Sequence, residues 1–129
     1  MNNVELVRHL YDAFAGGDVG TVLEALDEGV EWTEADGFPH GGTYVGLKAV
    51  IDGVFARIGS DWDPFVADMT EFLDAGEHVV AIGRYRGKLR ATDTPFDAEA
   101  AVVWTLRDGK VVRFRQYVDT ASLRPALAA

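Results

Sequence analysis

The last part of the chain holds two apolar runs rich in β-branched and aromatic residues, 98–106 and 111–119, on either side of Arg107-Asp108-Gly109-Lys110. Asp-Gly between such runs signals a β-hairpin, because Gly supplies the positive φ that a tight turn demands. The N-terminal half of the chain has helical periodicity. A long hairpin behind helices restricts the fold to an α+β layout, with the helices packed on one face of an antiparallel sheet.

Three helices are predicted. The first spans about 3–15, with Val4, Val7, Leu10, Tyr11 and Phe14 at helical spacing and Asn2 with Glu5 as a cap pair, and Gly16-Gly17 stops it. Asp18 caps the second, in which Val19, Val22, Leu23 and Leu26 repeat at i, i+3, i+4 and i+7 and which ends near Gly29. A short strand at 30–33 leads into a Gly-rich loop at 36–46, and a third helix over 47–58 follows. Strands are expected at 65–73 and 79–90, before the hairpin.

With 129 residues the chain makes one domain, 1–129, with a single core. No cysteine is present, which excludes a disulfide framework, a thiolate metal site and a cysteine nucleophile. The three histidines show no metal-binding spacing, so no metal and no cofactor are expected. The start has neither a basic leader nor an apolar segment long enough to span a membrane, which points to a cytoplasmic protein without membrane partners.

The net charge of -9 argues against nucleic-acid binding. Residues 1–78 carry 16 acids against Arg8, Lys48 and Arg57, while 79–129 carry 5 acids against 9 bases. Arg84, Arg86, Lys88 and Arg90 alternate along one strand and so share one face, which is expected to be solvated or in contact with acids.

The residues Tyr11-Asp12-Ala13-Phe14-Ala15-Gly16-Gly17-Asp18, Val30-Glu31-Trp32, Gly42-Thr43-Tyr44-Val45-Gly46, and the stretch from Trp104 to Val112 with Tyr117-Val118-Asp119, together resemble the nuclear-transport-factor-2-like superfamily, in its SnoaL-like, ketosteroid-isomerase-related branch. The resemblance covers about 4–123. It implies three N-terminal helices on a strongly curved antiparallel or mixed sheet, an open cone of the cystatin-like α+β barrel type. It also implies a small apolar or aromatic ligand in the interior and a homodimer formed through the outer sheet face, here Val103, Thr105, Arg113, Arg115 and Tyr117. Such a fold hosts function without fixing it.

Ketosteroid isomerases use a carboxylate base, with a Tyr and a neutral acid as oxyanion donors. By the resemblance the base position falls on Trp32, the Tyr on or beside Leu10 and the acid on Val102, which argues against that activity. An epoxide-hydrolase trio could draw on Asp97, Glu99, Arg115 and Asp119, without a clear match. In SnoaL-like cyclases an Asp near the end of the last strand serves as acid and base, and Asp119 takes that position. Alternation, however, places Asp119 on the face of Arg113, Arg115 and Tyr117, so that only a bulge near Val118 would turn it inward. The alternative is an Asp119 that pairs with an Arg or caps the C-terminal turn.

The catalytic candidates are therefore Asp119, with Tyr11 and His40 as assistants. The candidate ligand contacts are Trp32, Phe55, Trp104, Phe114 and Gln116. The expected function is a small-molecule pocket, with acid/base isomerase, cyclase or hydratase chemistry at Asp119. The alternatives are a non-catalytic binding protein, marked by a wholly apolar cavity, and an interaction module, marked by a filled interior.

Overall fold

The computed structural model describes residues 1–128. Helix α1 (Asn3–Ala15) starts at an Asn2 cap, in which Asn2 Oδ1 accepts from the Glu5 N–H at 2.8 Å and Asn2 Nδ2 donates to the Glu5 carboxylate at 3.0 Å. Helix α2 (Val19–Ala25) is capped by Asp18, whose carboxylate accepts from the Thr21 N–H. It ends four residues before Gly29, because Leu26 already belongs to strand β1 (Leu26–Glu34) and pairs with Val111. Tertiary pairing overrides the helical periodicity there.

The Gly-rich segment is not wholly loop. Its second half forms β2 (Gly42–Val45), an antiparallel edge strand on β1 with Trp32 opposite Tyr44. Next come α3 (Leu47–Val50), a π turn (Ile51–Phe55) and α4 (Ala56–Asp61), which run together as the third predicted helix, three residues longer than expected. The remaining strands are β3 (Trp62–Ala75), β4 (His78–Leu89), β5 (Thr94–Arg107) and β6 (Lys110–Val118). Asp108 and Gly109 both take positive φ, 52° and 75°, as a two-residue hairpin turn requires. A 3₁₀ turn (Thr120–Leu123) that begins at Asp119, the C-terminal turn of the alternative reading, and α5 (Arg124–Ala128), which was not predicted, bury Leu123 and Ala126.

The sheet runs β2-β1-β6-β5-β4-β3, antiparallel except for the parallel pair β1/β6. That pair sets Trp32 beside Phe114, and β5 sets Trp104 on the other side of Phe114. The two tryptophans and the phenylalanine thus form one row across three strands. Trp32 stacks on Phe114 at 3.7 Å and Trp104 meets Phe114 edge-on at 4.9 Å. All three are buried against the helices on the concave face.

The opposite face carries the charge. Arg84 pairs with Asp97 at 2.6 Å and Glu99 at 3.4 Å, Arg86 with Asp68 at 2.8 Å, Lys88 with Asp93 at 3.7 Å and Arg90 with Asp63 at 3.5 Å. The alternating basic stripe is therefore matched by carboxylates, most of them on neighbouring strands. Among the described residues no helix is long and apolar enough to cross a membrane.

Candidate functional site

Between the concave face and the helices lies a cavity of about 350 Å³, within the range of small-molecule sites. Aromatic rings from every side form its wall: Tyr11 and Phe14 from α1, Phe55 from the π turn, Trp32 and Phe114 from the sheet row, and Phe65 and Tyr85 from β3 and β4. Among the described residues no Lys, Arg or His lines it. The polar side chains among its lining residues are Glu34, Gln116, Tyr11 and Tyr85.

Glu34 is the acid of this cavity. It follows Trp32 by one full strand period and so points inward beside it. The residue is 2% exposed, Oε1 accepts from the Trp32 indole N–H at 3.3 Å, and Oε2 has no partner among the described residues. Burial pushes its pKa up to about 7, while the hydrogen bond from Trp32 and the nearby Gln116 amide hold it down. A carboxyl so placed exchanges its proton near neutral pH.

Around it the polar groups are tied together. Gln116 Oε1 accepts from the Ala35 N–H at 3.1 Å, and Gln116 Nε2 donates to the Tyr85 hydroxyl at 3.0 Å. The Trp104 indole N–H donates to the Tyr11 hydroxyl at 3.1 Å. Burial raises the pKa of both tyrosines, so both stay protonated, and the neighbouring Glu34 adds to the effect.

Of the residues singled out from the sequence, Tyr11, Trp32, Phe55, Phe114 and Gln116 line this cavity. Trp104 does not: it is fully buried behind Tyr11. His40 is also fully buried, but away from the cavity. Its Nε2 accepts from the Trp62 indole at 3.1 Å, so the lone pair a base would need is occupied, and burial lowers its pKa. Asp119 lies outside as well. No bulge reverses its parity; it is exposed, its carboxylate accepts from the Ser122 hydroxyl at 2.7 Å at the start of the 3₁₀ turn, and it borders a shallow depression on the outer face. Asp97 and Glu99 are engaged with Arg84 on that same outer face.

Glu34 is not among the candidates that the sequence suggests, because the strand predicted there stops at Thr33, one residue short. The available signal was alternation, since an inward Trp32 makes an inward Glu34.

Several solved structures share this architecture. An NTF2-like protein from Burkholderia thailandensis is 34% identical, with a TM-score of 0.91 over 96% of this chain and 95% of that one. An NTF2-like protein of unknown function from Burkholderia pseudomallei is 30% identical, with a TM-score of 0.90 over 100% and 99%. TerC, co-crystallised with polyporic acid, is 25% identical, with a TM-score of 0.86 over 98% of each chain. No curated protein matches the sequence. The family model of the SnoaL-like domain matches residues 7–114, most of the chain and nearly all of the cavity wall, and the chain belongs to that family.

Proposed function

We propose that the cavity binds a small, uncharged, largely apolar carbonyl compound and that Glu34 moves a proton on it. The observation that carries this reading is the free Oε2 of a buried carboxyl inside an aromatic cavity. A general base works best when its pKa lies near the working pH, and Glu34 is held there. In its ionised form it takes a proton from the carbon next to the carbonyl. The C–H bond breaks, an O–H bond forms on Glu34, and the electron pair passes into an enolate oxygen. The same O–H then returns its proton to carbon, or to an alkoxide after ring closure. Isomerase and cyclase outcomes share this first step, and TerC, with its polyporic acid, supports a small-molecule occupant.

Proton–deuterium exchange of 2-tetralone in D2O, followed by NMR, tests the step. The chain accelerates exchange over buffer, and Glu34→Gln loses about 10²- to 10⁴-fold of that rate, the usual contribution of general base catalysis. Exchange no faster than in buffer gives the site to non-catalytic binding. Asp119→Asn leaves the rate unchanged, because Asp119 lies outside the cavity.

We also propose that the outer sheet face pairs two chains. Tyr117 is 56% exposed there among paired charges, in keeping with a mixed polar interface. Light scattering at micromolar concentration then gives the mass of two chains; the mass of one chain refutes the pairing.

A further inference from the structure

We propose that Gln116 and Trp104 are positioning residues that aim the Tyr85 and Tyr11 hydroxyl protons into the cavity, making it a two-donor site for a ligand oxygen. The inference rests on the carbonyl reading of the cavity and names how the carbonyl is held.

Hydrogen-bond direction carries it. The Ala35 N–H can only donate, so it takes the oxygen end of the Gln116 amide. The NH2 end must then face Tyr85, and the Tyr85 oxygen must accept. Its own proton is turned away from Gln116. Indole N–H is also a donor only, so Trp104 fixes the Tyr11 hydroxyl in the same sense. Among the described residues neither hydroxyl donates to a protein group, although both tyrosines are buried and both line the cavity. Two buried O–H donors without acceptors await an acceptor from a ligand.

The layout across the sheet makes this arrangement reachable. Tyr85 on β4 pairs with Ala98 on β5, and Gln116 on β6 pairs with Val102 of the same strand. The small, buried Ala98 and Ala100 between them leave room for the phenol to cross β5 and meet the amide. An N–H donated to each tyrosine oxygen also favours the electron-rich form of that oxygen, which strengthens its own O–H as a donor. The cavity thereby selects ketones, quinones and their enolates over alkyl groups of the same shape, which offer no acceptor.

The test is the infrared carbonyl band of 2-tetralone labelled with 13C at its carbonyl, bound to the intact protein. Bound to the natural chain the band lies below its position in an apolar solvent. Tyr85→Phe and Tyr11→Phe each move it back up, and each weakens binding about 3- to 10-fold, the range of one hydrogen bond. Gln116→Met moves the band up in the natural background and has no further effect on it in Tyr85→Phe. A role confined to packing would instead give the same change in both backgrounds and overturn the proposal, as would a band unmoved by Tyr85→Phe. Should Gln116→Met fail to fold, Gln116→Glu replaces it at a pH high enough to ionise it: its carboxylate keeps an acceptor for the Ala35 N–H and takes the Tyr85 proton away from the ligand, so the band again moves up in the natural background and not further in Tyr85→Phe. A cavity that shifts the band without exchanging protons fails the proton-transfer reading alone. One that exchanges protons with the band unmoved fails only this inference.

Discussion

Glu34 sets chemistry against stability at the scale of one residue. Its folded pKa, about 7, lies above the ordinary 4.5, so the fold prefers the neutral acid. The stability from that preference is full below the ordinary value and is lost as pH rises through about 7. Glu34→Gln keeps the shape and removes the titration, so its advantage over the natural chain grows across this window to about 3 kcal/mol and then stays level. Urea denaturation at about pH 5 and about pH 8 reads this, and an advantage equal at both values refutes it. At this scale the sequence was legible by parity. Alternation put Trp32, Phe114 and Gln116 inward and Asp119 outward, and all four lie so. Which inward position held the acid depended on one residue of strand length. Hydrogen-bond direction, which fixes the roles of Trp104 and Gln116, has no one-dimensional signature at all.

At the scale of elements, the helical rod over 47–61 supplies Phe55 from its π turn, and that ring meets Trp32 and Phe14 edge-on at 5.4 and 5.8 Å. The rod fits the edge of the sheet through Gly53: a Cβ there would lie 2.3 Å from the Tyr44 ring. Tyr44 itself is held by a hydrogen bond from its hydroxyl to the His40 carbonyl at 2.8 Å. Gly53→Ala is therefore expected to cost about 1–3 kcal/mol by overpacking, measured by chemical denaturation, and to raise ligand dissociation through a displaced Phe55. An unchanged midpoint would show that Tyr44 moves aside freely. The hairpin and the first helix could be read from the sequence because their turn and cap residues act locally. Strand β2 could not: Gly42-Thr43-Tyr44-Val45 has no apolar face of its own and becomes a strand only against β1. The end of α2 was missed for the same reason, since Leu26 is claimed by Val111 from far along the chain.

Across the whole molecule the two faces of the sheet divide the labour. The concave face gathers aromatic rings around one carboxyl, and the outer face spreads Arg and Asp pairs that a second chain can cover. The fold class follows from element order, and the cavity from the parity of the strands. The parallel pairing of β1 with β6 adds a consequence in time. Trp32 and Phe114 come together only when a strand near the start of the chain docks against one near its end, while β3 to β6 pair with their neighbours in sequence. Loop closure makes this longest-range pairing of the sheet the slowest to form, and the binding chamber is expected to be completed with it. An occupied chamber is thus a certificate that the chain has finished folding.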